Sequence, residues 1–270
     1  MKHNVFKMYH PKDEVEAAET RGQCWRGDTL EDGIELCKYQ TIRRVFEKYL
    51  PRDGKILESG CGLGRWLFFL RKRGYDVTGI DLVEHAVKTA KAYDPEAPVF
   101  VDDVLHGRFP DKSFNAVISL GVVEHFEEGP EKAFTEIKRL LTSDGLLFLS
   151  VPTQNLFRLL LINHLKRAKM YLCKLAGHEY LFEEYRYTRR QMTSLLIEAG
   201  FEICEMVPDD YEPPKSMGLY VDLPFLRHKQ QRWEMNSFGK LVDRFLRSIS
   251  PWLSCSSTLW VCRTKEEEIL

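Results

Sequence analysis

The sequence predicts an α/β fold: a doubly wound, seven-stranded sheet with helical insertions after the fifth and sixth strands. Three observations carry this expectation. Between Lys55 and Val151, short apolar runs rich in β-branched residues alternate with helix-period runs, as in a parallel sheet buried on both faces. A turn with three glycines, Gly60-Cys61-Gly62-Leu63-Gly64, joins the first such strand to the helix after it. Two stretches, 155–187 and 208–254, break the alternation before it resumes. Right-handed crossovers then wind the sheet outward in both directions.

Each element follows from local pattern. Ile34, Cys37, Ile42, Val45, Phe46 and Tyr49 share a helix face between Thr29 and Leu50, and 51–54 end it. Lys55 to Ser59 is the first strand, and Leu63 to Arg73 the helix that Gly74 stops. "YDVTGI" is the second strand, closed by Asp81, and "EHAVKTAKAY" a helix stopped by Asp94-Pro95. "APVFVDD", "FNAVISLG" and "LLFLSV" are the third to fifth strands, with a helix from Pro130 to Leu141 before the last. Residues 155–187 read as helical and basic in their first half. Thr188 and Gln191 have the capping-box spacing for a helix to Ala199. "FEICEMV" and "STLWVCRT" complete the seven strands, and the prolines at 213, 214, 224 and 251 flank a helical stretch between them. The expected organisation is an N-terminal lid and helix (1–50), a ligand-binding core (51–152), a helical insertion (153–187) and the rest of the sheet (188–270) with a second insertion at 208–254.

Composition narrows the function. The chain has 270 residues, 44% hydrophobic and 29% charged, and a formal net charge of -1. A near-neutral balance lacks the basic footprint of nucleic-acid binding, so no nucleic-acid partner is expected. The seven cysteines are dispersed, with no C-x-x-C pair. That argues for reduced thiols, a cytoplasmic location and no metal site. The N-terminus is too polar for a signal peptide, and no apolar run approaches the ~20 residues that span a bilayer.

Glycines between strand and helix let a ligand approach backbone N–H groups closely. A dinucleotide fingerprint would need glycine where Arg65 stands, and a phosphate-binding loop would need a lysine and a hydroxyl that are missing. Glu58, two positions before the turn, would repel a pyrophosphate but suits a ligand with a cationic end. Glu58-Ser-Gly60-Cys61-Gly62-Leu-Gly64 resembles the E/D-x-G-x-G-x-G motif of the class I S-adenosylmethionine-dependent methyltransferases, whose sheet is Rossmann-like. "VTGIDL", "VFVDDV", "FNAVISLGVVEHF", "LLTSDGLLFLSVP" and "YTRRQMTSLLIEAGFEI" resemble later blocks of the small-molecule, ubiquinone-biosynthesis-like branch. One departure is Ser143-Asp144 in place of the usual proline-glycine.

The resemblance implies S-adenosylmethionine as cofactor and a small-molecule methyl acceptor. It implies cofactor contacts at Glu58, Gly60, Cys61, Gly62 and Gly64, at Asp81 for the ribose hydroxyls and Leu82 beside the adenine. Asp103 meets the adenine amino group, with Asp102 the alternate, and Val104 and Leu120 complete the pocket. Asp81 by itself also fits a helix cap. Methyl transfer needs placement above all, and a hydroxyl or ammonium acceptor must also shed a proton. His125, just after the fourth strand, is the candidate base; packing beneath the cofactor is the alternative. His178 in the insertion, and Tyr9, Trp25 and Arg26 in an N-terminal lid, are candidate wall residues. The insertion, with Arg158, Lys166, Arg167, Lys169 and Lys174, reads as a lid whose Leu156, Leu159, Leu160, Ile162 and Leu165 fold over the site. A second reading rests it on an anionic membrane. A non-catalytic binding protein of the same fold is the alternative to an enzyme. The oligomeric state is not written in the sequence.

Overall fold

A computed structural model describes residues 5–12, 29–231 and 233–265. Trp25 and Arg26 lie outside the described residues. The seven expected strands are all present: β2 (Lys55–Ser59), β3 (Asp76–Asp81), β4 (Val99–Val101), β5 (Phe114–Leu120), β6 (Leu141–Gln154), β8 (Phe201–Asp209) and β9 (Ser257–Thr264). Strands β4, β3, β2, β5 and β6 are neighbours in that order and parallel. β9 returns antiparallel beside β6, and β8 pairs antiparallel with β9. The order reverses between β2 and β5, which places a crevice at their C-terminal ends.

Helices cover both faces. On one, Phe46, Trp66, Phe69 and Phe148 meet edge to face with centroids 4.9–5.3 Å apart. These come from α2 (Ile42–Tyr49), α3 (Arg65–Arg71) and β6. The other face buries Leu147, Leu149 and Trp260 against Phe134, Met192 and Leu196 of α5 (Glu131–Leu140) and α7 (Arg189–Glu198). α4 (Glu84–Tyr93) follows β3. α7 starts with the expected capping box: Thr188 accepts from the Gln191 N–H, and the Gln191 side chain accepts from the Thr188 N–H.

Three elements differ from the sequence expectation. The single helix over 29–50 is two, α1 (Leu30–Leu36) and α2, because Gln40 bridges Tyr211 and the Thr41 N–H donates to the Asp210 carbonyl. The insertion is helical only as a π-turn (Arg158–Ile162) and α6 (Asn163–Leu175). It then becomes β7 (Tyr180–Thr188), which joins the end of β6 and pairs antiparallel with β1 (Phe6–Pro11). The sheet therefore has nine strands. The third difference concerns the leucines: Ile162 is buried, while Leu156, Leu159, Leu160 and Leu165 stay exposed. α6 lies on the β1–β7 ribbon through cationic side chains instead, with Arg167 over the Phe6 ring and Lys174 over Tyr9.

Both insertions are held by one buried carboxylate. Asp222, 3% exposed, pairs with Arg158 of the π-turn, Lys166 of α6 at 2.9 Å and Arg186 of β7 at 3.1 Å. Burial pushes this carboxyl up, but the three cations outweigh it and hold the group well below the usual carboxylate range. Removing one partner of a buried ion cluster leaves uncompensated charge. Asp222→Ala should therefore lower unfolding stability by about 3–5 kcal/mol in urea titrations; a loss below about 1 kcal/mol, the scale of an exposed pair, would refute this role.

Candidate active site

The site begins where β2 ends. Gly60, Gly62 and Gly64 have φ of 78°, 55° and 86°, left-handed values that favour glycine. A Cβ on Gly60 would stand 2.4 Å from Cγ2 of Val122, in the loop after β5. The turn is fixed to the next strand by hydrogen bonds. The Gly60 and Cys61 N–H groups donate to the Ile80 carbonyl at 2.8 and 2.9 Å. The Gly62 N–H donates to Asp81 Oδ2 at 2.7 Å, while Asp81 Oδ1 accepts from the Val83 N–H at 2.8 Å. The N-cap of α4 is Val83, without a side-chain cap. Asp81 is therefore a clasp on the glycine turn, and the helix-cap alternative does not hold.

The other cofactor candidates divide by exposure. Cys61 and Val104 point into the core, so they can offer a ligand only backbone. Leu82 is 59% exposed beside Asp81. Asp103 accepts from the Leu105 N–H and faces His106, yet its side chain remains 38% exposed. Asp102 is committed to the N–H and Nε of Arg108. Asp103 is thus the more available of the pair.

Glu58 is 4% exposed, and its Oε2 has no hydrogen-bond partner. Burial pushes its carboxyl up to about 8, against the pull of the Arg65 guanidinium and the Leu67 backbone. Beyond the turn lies a cavity of about 270 Å³, bounded by Leu120 and Gly121 at the end of β5. Arg65, Tyr211, Gln40 and Asp209 form part of its wall. Arg65 Nη1 donates to the Tyr211 hydroxyl, and Asp209 accepts from Ser150 at 2.6 Å and Gln40 at 3.1 Å. Burial pushes the Asp209 carboxyl up to about 6. Sequence reasoning missed these wall residues. Arg65, adjoining Gly64, carried a local signal, whereas Gln40, Asp209 and Tyr211 meet only through long-range pairing.

His125 is exposed, in a 3₁₀ turn after β5. Its Nδ1 lies 2.7 Å from the Glu183 carbonyl, which can only accept, so Nδ1 is the donor and Nε2 is the nitrogen left for another partner. Beside it Glu124 is buried, with Oε2 unpartnered. Burial pushes that carboxyl well up, and the nearby Glu184 adds to the effect. Ligand-type atoms of Glu124, His125 and Glu184 lie within 4.8 Å of one another, and Glu184 also accepts from Arg186 Nε. These three side chains are the grouping that could hold a metal ion among the described residues. His178 sits exposed after α6, and Tyr9 packs on Phe182 in the edge ribbon; neither lines the cavity, and His125 itself stands outside the wall, next to the lining residue Glu124.

A model of the methyltransferase domain family matches residues 31–206, from α1 into β8. The chain belongs to this family. It is an S-adenosylmethionine-dependent methyltransferase. A ubiquinone biosynthesis O-methyltransferase of Rickettsia bellii is 29% identical over 180 residues, covering 63% of this chain and 69% of the relative. A methyltransferase from Methanosarcina mazei shares the fold with a TM-score of 0.57 and 19% identity, over 83% of this chain and 98% of that one. So does the 1,6-didemethyltoxoflavin-N1-methyltransferase of Burkholderia thailandensis, solved with S-adenosylhomocysteine (TM-score 0.53, 16% identity, 94% and 86% covered). The methyltransferase's own residues fit the cofactor. The orphaned Glu58 oxygen matches a cationic ligand, and the glycine-rich turn matches close approach by a nucleoside.

Glu58 is protonated when folded and ionised when unfolded between about 4.5 and 8. The folded state then binds the extra proton, so stability falls as pH rises through that window. Unfolding free energy should decline from pH 5 to 8, with a shallower slope in Glu58→Gln. Asp209 and Glu124, also shifted upward, leave a residual decline in that variant. Identical slopes for both proteins in denaturant melts would show that Glu58 is ionised in the folded state.

Proposed function

We propose that this methyltransferase moves the methyl group of S-adenosylmethionine to an oxygen, nitrogen or carbon of a polar small molecule seated in the cavity beside Leu120. The observation that carries the reading is that cavity: it adjoins the glycine turn at the strand ends and is walled by charged and amide side chains. The cofactor supplies an electrophilic methyl on a sulfonium. Glu58 faces its ammonium, the glycine turn admits it closely, Asp81 accepts from its ribose hydroxyls, Leu82 covers its adenine and Asp103 accepts from the adenine amino group. Cys61 and Val104 contribute backbone, and Leu120 borders the methionine portion. Residues 51–152 form this half of the site.

The remaining elements serve the acceptor. Glu184 and Arg186 of β7, and Arg158 of the π-turn, reach the cavity from the insertion at 153–187, while Asp209 enters from the end of β8 and Tyr211 from the second insertion. His125, on the turn beside the cavity-lining Glu124, takes the acceptor's proton on Nε2 where the acceptor is a hydroxyl. Burying the reacting groups between these walls excludes water from the methyl. Among the described residues no helix is long and apolar enough to cross a membrane. The dispersed cysteines support a cytoplasmic setting, and the basic insertion supports peripheral contact with an anionic membrane.

Two substitutions test the assignment. Asp81→Ala should weaken S-adenosylmethionine binding by roughly 10–100-fold in calorimetry, since a charge-assisted hydrogen bond is worth about 1.5–3 kcal/mol. Unchanged affinity would leave Asp81 only its role as clasp. His125→Ala should lower kcat by roughly 10²–10⁴-fold with cofactor affinity intact. Loss of cofactor binding in this variant would reassign His125 to the pocket wall.

A further inference from the structure

The cavity beside Leu120 is walled by both signs of charge. A second cavity is not. It measures about 550 Å³ and lies between the end of β6, the π-turn, the start of α7 and the turn at 251–253. The two cavities have no lining residue in common. The second wall carries Arg189 and Arg190 and no acidic residue. Arg189 lies over the Trp252 ring at 4.1 Å, and neither arginine forms an ion pair among the described residues. Both open α7, a helix of 10 residues with no acid in its first turn. Cations are unfavourable there, because a helix N-terminus already carries partial positive charge. Positive potential therefore gathers at this wall, and its lining holds no carboxylate to balance it.

The rest of the wall adds a donor and an apolar surface. Gln154 is 5% exposed; its Oε1 accepts from Asn163 Nδ2 at 3.1 Å, and its Nε2 has no hydrogen-bond partner. An amide nitrogen can only donate, so the partner it lacks is an acceptor. Leu156 and Leu159, 60% and 40% exposed, line the same cavity beside Trp252 and Leu253. An apolar group seated there would remove them from water. The two cations and the orphaned donor select a negative head, and the leucines and Trp252 select an apolar body. The volume lies within the roughly 300–1,000 Å³ usual for small-molecule sites.

We propose that this second cavity binds a small organic anion with an apolar body. Its carboxylate or phosphate would meet Arg189, Arg190 and the Gln154 amide, and its body would lie against Leu156, Leu159 and Trp252. The site is separate from those of the cofactor and the methyl acceptor, yet it is tied to the acceptor wall. Arg158 lines the first cavity, and its Nη1 donates to the carbonyls of Thr153 at 2.7 Å and Cys255 at 3.1 Å, both residues of the second. An occupant of the second cavity would therefore touch residues that hold Arg158 in the first.

Calorimetry on the full chain saturated with S-adenosylhomocysteine tests this, with naphthalene-2-carboxylate as the probe and its neutral carboxamide as the control. The carboxylate should bind at least roughly 10-fold more tightly than the amide, the scale of one charge-assisted hydrogen bond. The double variant Arg189→Gln, Arg190→Glu should weaken carboxylate binding by roughly 10-fold or more. Leu159→Glu, which places an acid on the apolar part of the wall, should do the same with both arginines intact. Both variants should keep their affinity for S-adenosylhomocysteine. No carboxylate binding, equal binding of the amide, or undiminished binding by either variant would overturn the proposal. Loss of S-adenosylhomocysteine affinity alongside carboxylate binding in both variants would also overturn it, because the two sites would then not be separate.

Discussion

The Asp81 carboxylate is the constraint on which the cofactor half of the molecule depends. One of its oxygens holds the glycine turn after β2 and the other holds the chain leaving β3, at 2.7 and 2.8 Å. Three left-handed glycines in five residues are an expensive conformation to fix, since glycine has the most backbone freedom to lose. Asp81 fixes it by accepting from the Gly62 N–H, and Val122 leaves no room for a side chain at Gly60. A lone glycine turn would be loose. Tied to the neighbouring strand, it is a preformed cradle, so little ordering is left to the moment of binding.

Around that cradle the protein keeps carboxylates in unfavourable surroundings. Glu58, Glu124 and Asp209 are all buried and pushed toward their neutral forms, and the first two leave an oxygen unpartnered. Such groups weaken the folded state. They are explained by what the site must meet: a cationic cofactor and a polar acceptor. The same trade explains Arg65, a half-buried guanidinium that faces Glu58, Asp209 and Tyr211 together. Perturbed groups concentrated in one crevice mark a functional site more strongly than any of them alone.

On the acceptor side the organising charge is Asp222. It draws Arg158, Lys166 and Arg186 together from the π-turn, α6 and β7, and so fastens one insertion to the other. With cations spent inward on Asp222 and on the aromatic rings of β1, α6 turns its leucines outward. Electrostatic anchoring and the exposed apolar face are thus two consequences of one arrangement.

The sequence by itself determined the alternating core, the glycine turn, the acids at the strand ends and the cap of α7. Each is local: strand and helix periods, turn chemistry and capping act over a few residues. It also placed Glu58, Asp81 and Asp103 correctly at the C-terminal edge, because in a parallel sheet chain order dictates which strand end a residue occupies. Tertiary structure decided the rest. β1 and β7 pair across some 170 positions, an aromatic-rich ribbon whose period a single segment does not reveal. The break at Gln40 exists because Tyr211 pairs with it, and that pairing, with the Thr41 bonds to Asp210, carries Gln40 and Asp209 into one wall. The direction of the insertion leucines followed from where Asp222 stands. Contacts between residues far apart in the chain leave no periodic trace, since their free energy comes from surroundings that only the folded chain assembles.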